Sequence, residues 1–454
     1  MLPILLLLFS VGLIILLTAR FDVHPFLALL AAALSFGLLS GMDSALIIQS
    51  INDGFGGILG KIGLVILFGV IIGSFLEHSG GAFKLAELVL RIIGRKRVHA
   101  AMAIIGYIVS IPVFADSGFI ILNPLNKSLT KRAKLSFAGT GVALILGLML
   151  SHTMVPPTPG PIAAAGYIGA DLGLVMLMGI GVSALSLLPA IYYASRYASK
   201  VYIDPNPDMS EEQINEKIKQ APSAFRSFLP ILVPILLIIT ASIIESSLSI
   251  KLGGEGEAAP QALWHTILLF LGQPVIALTV GMLLAFFLPR KLDRSLFSNS
   301  GLVGKSLVDA STILLITGAG GIFGKILQNS GITDILADNL AGLSLGIWLP
   351  FILAAAIKTA QGSSTVALIT TASILGGSLA ASLGFDTEIE KALLVIAIGA
   401  GSAVVSHAND SAFWVVTQLT GMDVKTGYRL YTLGSFIIGT FAALLVFLLS
   451  LILA

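Results

Sequence analysis

Cysteine is missing from all 454 residues. That excludes disulfides, thiolate metal sites and cysteine nucleophiles. Charge is scarce as well: Asp, Glu, Lys and Arg make up 11% of the chain, against about 25% in a soluble domain. Two enzyme signatures are absent, the His-Glu-x-x-His pattern of zinc hydrolases and the Gly-x-Ser-x-Gly nucleophile turn. An enzyme is therefore not expected, and neither a metal nor a cofactor is implied. The net charge is only +2, so nothing points to nucleic acid as a partner.

What is present is apolar. Hydrophobic residues make up 56% of the chain and mean hydropathy is +0.98. The 48 glycines suit helices that approach one another closely. The class is an all-α polytopic membrane protein, with the lipid bilayer as its surroundings. Leu2–Ala19 lacks a basic leader and is long enough to span, so it reads as a first span rather than a signal peptide.

Charge then orders the chain. Val23–Gly41 and Ile58–Leu76 read as spans, with residues 42–57 outside because they hold two Asp and no basic residue. Ala82–Ile93 is amphipathic and suits the interface. Arg95-Lys96-Arg97 marks the cytoplasm by the positive-inside rule. Residues 98–126 are apolar but carry Ser110-Ile111-Pro112-Val113-Phe114-Ala115-Asp116-Ser117-Gly118 in their middle, with basic clusters at both ends. A re-entrant hairpin keeps both clusters inside. The spacing predicts a second hairpin over Leu345–Gly377, with a polar tip at Lys358–Thr365, entering from outside. Lys358 itself is expected to snorkel to the outer interface.

Two spans are broken. Leu135–Ala170 holds four prolines between Pro156 and Pro161, which a helix interior cannot accommodate. Lys391–Gln418 is interrupted at Ser406-His407-Ala408-Asn409-Asp410-Ser411. Backbone groups freed inside lipid must be satisfied by protein or by a water-filled cavity, so each break marks a candidate site. Leu172–Ser195, Phe228–Glu245, Leu263–Leu288, Ser306–Leu327 and residues 431–453 read as further spans, and Ile332–Leu343 as a short amphipathic helix. On this scheme 21 of the 26 Lys and Arg lie on the cytoplasmic side; the exceptions are Lys61, Lys251, Lys325, Lys358 and Lys391.

The order of elements repeats. Glu77-His78-Ser79-Gly80 aligns with Gln328-Asn329-Ser330-Gly331 at an offset of 251, and Ser151-His152 with Ser406-His407 at an offset of 255. The copies start on opposite sides, which makes an inverted repeat with two re-entrant hairpins and two broken transmembrane helices. Residues 1–195 form the first half, with its repeat at about 23–170. Residues 196–227 are a cytoplasmic linker, in which Ser210-Glu211-Glu212 can start a helix. Residues 228–454 form the second half, with its repeat at about 262–418. In such proteins the substrate site lies between the copies near the midplane.

Several stretches resemble the gluconate permease family of bacterial inner-membrane symporters. They are Gly118-Phe119 with Leu122-Asn123-Pro124-Leu125, Pro156-Pro157-Thr158-Pro159-Gly160-Pro161, Gly362-Ser363-Ser364-Thr365-Val366-Ala367, and Ser406-His407-Ala408-Asn409-Asp410 with Phe413-Trp414. The resemblance covers essentially the whole chain. It implies proton-coupled uptake of gluconate or a related small sugar acid across the inner membrane. Through the wider ion transporter superfamily it also implies a homodimer with scaffold and elevator-like domains. Gluconate-specific members carry Glu in a Tyr-Glu-Val-Gly-Phe context, where this chain reads Phe114-Ala115-Asp116-Ser117-Gly118-Phe119. The shorter acid and added hydroxyl leave glycerate and four-carbon aldonates open as substrates.

A hydroxy acid presents a carboxylate and hydroxyls. Helix N-termini at the tips and breaks favour the carboxylate. Expected substrate contacts are Asp116, Ser117, His152, Gly362, Ser363, Ser364, Thr365, His407, Asn409 and Asp410. Capping or core packing is the plainer role for several of them, the Ser/Thr tip and the histidines above all. Asp116, His152, His407 and Asp410 are the candidates for proton coupling, because intramembrane ionisable groups are costly and functional by default. Sodium is the alternative coupling ion. The hairpin reading has a direct check: Lys131→Cys should label from the cytoplasmic side only, and labelling from outside removes it.

Overall fold

The computed structural model describes residues 2–21, 23–94, 97–205, 210–252, 263–291, 293–331, 345–408 and 410–453. These are almost entirely helical, with no strand among the described residues. In chain order the helices are α1 Leu2–Ile15, α2 Pro25–Leu39, α3 Ser44–His78, α4 Gly81–Ile93, α5 Val98–Val109, α6 Ala115–Arg132 and α7 Phe137–Met154. They continue with α8 Pro159–Ile168, α9 Leu172–Arg196, α10 Glu211–Gln220, α11 Ala224–Leu252, α12 Leu263–Gly272, α13 Pro274–Phe286 and α14 Leu302–Asn329. The last five are α15 Trp348–Gln361, α16 Ser364–Leu375, α17 Glu388–Ala403, α18 Ser411–Thr420 and α19 Leu433–Leu453. Among the described residues six helical stretches are long and apolar enough to cross a membrane, and the bent pair α12–α13 passes the same test when counted as one broken span.

Burial separates an interior from a lipid-like exterior. α7 is buried from Phe137 to Met154, and α17 from Ala392 to Ala403. By contrast Leu5 and Leu8 of α1, Leu185 and Leu188 of α9, and Leu232 and Leu236 of α11 are exposed. Helices apolar all round with leucines turned outward belong in hydrocarbon, not water. The interior is assembled through glycine. A Cβ at Gly54 of α3 would fall on the Gly321 backbone of α14, and one at Gly321 would fall on Gly54. Gly106 of α5 and Gly147 of α7 make a second seam, each against the other helix's backbone. Such approach lets helices associate where lipid supplies no hydrophobic drive.

Several sequence expectations hold at the level of elements and shift at their boundaries. α4 is amphipathic as expected, with Glu87 paired to Lys84 at 2.6 Å and to Arg91 at 3.3 Å. α10 starts at the predicted place. Gln213 N–H donates to Ser210 Oγ at 3.2 Å and Ser210 N–H to Gln213 Oε1 at 2.9 Å, a reciprocal cap. Residues 42–57, expected outside the second and third spans, belong from Ser44 onward to the third helix itself. Asp43 caps at Ala45 N–H (2.8 Å), and α3 runs without interruption for 35 residues. Within its polar, glycine-rich first half, Gly54 packs on α14. The expected single span Leu263–Leu288 is instead two helices bent by 73°, because Pro274 opens α13 after Gln273. The predicted amphipathic helix Ile332–Leu343 lies outside the described residues.

The α3–α14 seam is testable by thermal unfolding in detergent. Gly54→Ala is expected to cost about 1–3 kcal/mol through overpacking. Gly56→Ala meets open space and should be neutral or stabilising by up to about 1 kcal/mol. Equal midpoints for the two would show that the seam is not close-packed.

Candidate functional site

Three helix starts meet at one cavity of about 570 Å³. The first is α6. After α5 the chain turns through Ser110, whose Oγ donates to the Val113 carbonyl at 2.9 Å. Pro112 lacks the N–H a continuing helix needs, and α6 restarts at Ala115. Phe114, Ala115, Asp116 and Ser117 then line the cavity. The second start is α16. Gly362 takes φ = 95°, a left-handed conformation that glycine adopts without a Cβ clash. Ser363 follows as the N-cap, accepting from Val366 N–H at 3.3 Å, and Ser363, Ser364 and Thr365 face the cavity. The third is α18, where the Asp410 carboxylate accepts from Ala412 N–H at 3.0 Å. Three aligned N-terminal dipoles favour a negative charge between them.

An ion pair fixes two of these pieces together. Lys358 of α15 is fully buried, and its Nζ lies 2.6 Å from Asp410 Oδ2. The same ammonium donates to the Gly362 carbonyl. The expected snorkelling position is thus corrected: Lys358 reaches inward, because a buried Asp410 offers a partner that the bilayer surface does not. Asp410 does double duty, capping α18 and neutralising Lys358. Asp116, in turn, accepts from Ser411 Oγ at 2.6 Å. A line of contacts therefore runs from α6 through α18 to α15.

The two histidines occupy different kinds of place. His152 lies in the last turn of α7, buried, with its ring edge-on to Phe114 at 5.9 Å. It lines the cavity, and its Nδ1 is buried without a hydrogen-bond partner. His407 lies in the irregular stretch between α17 and α18. Its Nε2 is 2.7 Å from the Thr359 carbonyl, and its ring stacks 6.3 Å from Tyr428. His407 is not on the cavity wall, so the expected equivalence of the histidines is not seen. α7 continues two residues past His152, whereas α17 ends at Ala403, four residues before His407, which leaves His407 in the break and His152 in the helix.

Of the other expected residues, Asp116, Ser117, Ser363, Ser364, Thr365 and Asp410 share the cavity wall. Gly362 stands behind it and supplies the carbonyl to Lys358. Asn409 lies outside the described residues. The proline run lies behind the wall too. The Pro157 carbonyl backs against Gly69 of α3, and Thr158 Oγ1 donates to the Val155 carbonyl at 2.6 Å, so the run shapes the break. Sequence reasoning missed Ser411, whose signal was its place directly after Asp410. It also missed the wall given by Ser74 and Glu77 of α3 and by Asp309 and Thr312 of α14. Asp309 was visible as a lone acid within an apolar run. Glu77 is exposed and lines the same cavity.

The whole chain, residues 2–452, matches the profile described as GntP family permease. The chain belongs to the GntP permease family. It is a multi-pass membrane protein and a permease, not an enzyme. It is 33% identical over 449 residues to a gluconate permease of Pseudomonas aeruginosa, covering 98% of this chain and 96% of that one. It is 30% identical over 450 residues to a D-serine transporter of Escherichia coli K12, covering 98% of each. In fold it is similar to the YdaH transporter of Alcanivorax borkumensis, with a TM-score of 0.65 at 15% identity, over 94% of this chain and 98% of that one. Within a GntP permease the cavity is the natural place to look for cargo.

The ion pair predicts a stability pattern. Lys358→Met leaves Asp410 buried and unpaired and is expected to cost about 3–5 kcal/mol. Adding Asp410→Asn should recover a large part of that loss. Thermal unfolding of the single and double variants decides it; additive losses would show that the two charges are not coupled.

Proposed function

We propose that this GntP permease carries a small sugar acid into the cell by proton symport, with the cavity at the α6, α16 and α18 starts as the substrate site. The convergence of those three N-termini carries the reading. They favour one carboxylate, and the hydroxyls of Ser117, Ser363, Ser364 and Thr365 suit the several hydroxyls of an aldonate or glycerate. His152, with its unpartnered Nδ1, is placed to meet a further hydroxyl. The similar gluconate permease and D-serine transporter are named for cargoes that each combine a carboxylate with hydroxyl, which fits this donor set.

Alternating access follows from an inverted repeat, which we propose on matched features. α3 and α14 end alike: Ser79 and Ser330 are right-handed C-caps, followed by Gly80 at φ = 73° and Gly331 at φ = 74°. α7–α8 and α17–α18 are both helix–break–helix pairs, while α5–α6 and α15–α16 both turn at a polar tip. In this reading the pairs α5–α6 and α15–α16 are re-entrant hairpins, and the basic loops face the cytoplasm of the inner membrane. Asp116 is the proposed proton carrier. Protonated, it still accepts from Ser411 and frees one negative charge from the path of an anionic cargo. The proton then leaves with the carboxylate to the cytoplasm, so charge transfer is set by one proton and one anion.

The test is uptake of labelled gluconate, glycerate and a four-carbon aldonate into vesicles with an imposed pH gradient. Uptake should follow the gradient, and Asp116→Asn should lose more than about tenfold of the gradient-driven rate, within the range for general acid–base groups. Uptake that ignores pH and follows sodium would replace the proton by the sodium reading. Absence of uptake for all three acids would remove the substrate class.

A further inference from the structure

Three helices that wall the first cavity, α3, α14 and α16, also wall a second, further along their length. It encloses about 470 Å³, and its polar wall includes Asp53, Lys61, Tyr167, Lys325 and Gln328. α3 contributes Val70–Glu77 to the first cavity and Asp53–Lys61 to the second. α16 starts at the first, at Ser364, and reaches the second at Ser373. At 1.5 Å per residue the two openings are roughly 15 Å apart along that helix.

The two walls correspond position by position. At the spacing of 251, Val70, Gly73, Ser74 and Glu77 of the first cavity fall on Gly321, Gly324, Lys325 and Gln328 of the second. Val308, Asp309 and Thr312 of the first fall on Gly57, Ile58 and Lys61 of the second. A fortuitous crevice would not fall on one spacing seven times. Gly63 faces Leu314, itself 251 residues on, with 3.8 Å from a Cβ built at the glycine. That contact maps onto itself, as a contact on a two-fold axis must.

The correspondence is geometric but not electrostatic. Glu77 becomes Gln328, Ser74 becomes Lys325, and Thr312 becomes Lys61. The first wall carries Glu77, Asp116, Asp309 and Asp410, whereas the second carries two ammonium groups and one carboxylate, Asp53. Lys325 Nζ donates to the neutral Gln328 Oε1 at 3.2 Å. Among the described residues neither Lys61 nor Lys325 is spent on a carboxylate. Both are also among the few basic residues on the side away from the basic loops.

We infer that the second cavity is an anion-capture vestibule on the opposite membrane face, where Lys61 and Lys325 recognise the carboxylate before it reaches the central site. This rests on the transport reading for its cargo, but not for its existence as an anion site. Two ammonium groups in a cleft with low-dielectric walls raise the local anion concentration. Gly57 leaves open space beside the α3 backbone.

Because the native chain has no cysteine, Gly57→Cys provides a unique thiol, at a position where a Cβ meets open space. Its labelling by an anionic and a cationic methanethiosulfonate reagent, applied from outside, reads the local field without any transport. The anionic-to-cationic rate ratio should fall on the order of tenfold when Lys61→Gln and Lys325→Gln are added. An unchanged ratio, or labelling only from the cytoplasmic side, overturns the proposal. In vesicles the double lysine variant should raise the uptake KM several-fold and leave the KM for efflux alone. An equal rise on both faces, or none, also overturns it. If the native chain moves no sugar acid, the functional reading fails, while the labelling ratio still decides the anion site.

Discussion

Lys358 and Asp410 form a buried ion pair, with Nζ 2.6 Å from Oδ2. Such a pair needs further hydrogen bonds to offset the desolvation of both partners. The structure supplies them: the Gly362 carbonyl to the lysine, and Ala412 N–H to the aspartate. Each extra bond uses a backbone group at a helix end, Gly362 just after α15 and Ala412 in the first turn of α18. The irregular backbone and the ion pair therefore depend on each other. Without the breaks no carbonyl or N–H would be free, and without the charges those free groups would lack partners. The starts of α16 and α18 are held in register by this pair, and α6 is tied in through Asp116 and Ser411.

Close packing by glycine gives the second constraint. Polar breaks are stable only if the helices around them exclude lipid. The α3–α14 and α5–α7 seams achieve that with backbone-to-backbone approach, leaving no room for side chains at the crossing points. The same economy of side chains opens the two cavities on either side of the α3–α14 crossing. Packing and access are thus two results of one composition, a chain with 48 glycines.

The sequence made the class legible because apolar runs and basic loops answer directly to the bilayer. The hairpin tips and breaks were legible because Pro, Gly, Ser and Asp interrupt an apolar helix by their own local chemistry, whatever packs around them. Asp116 and the Ser363–Thr365 tip reached the cavity as expected for that reason. What failed depended on partners distant in sequence. The start of α3 lay nearly fifteen residues before the apolar run that marked its span, because the Gly54 contact with Gly321 of α14 is long-range. Lys358 looks superficial until Asp410 is placed beside it. His407 aligned with His152 by its serine neighbour, yet α17 ends before His407 while α7 runs past His152, which puts one in a break and the other on the cavity wall.

The length of α3 reaches beyond the cavity it borders. Its 35 residues make a rod of about 52 Å, whereas the hydrocarbon layer is about 30 Å thick. The excess has to be taken up by inclination of the rod, by projection among the headgroups, or by local thickening of the lipid. Both cavities take part of their walls from this one rod. Any change in its inclination moves those walls together, one opening as the other narrows. The acyl-chain length of the surrounding lipid therefore acts on the balance between the two openings as a mechanical variable, with no ligand required.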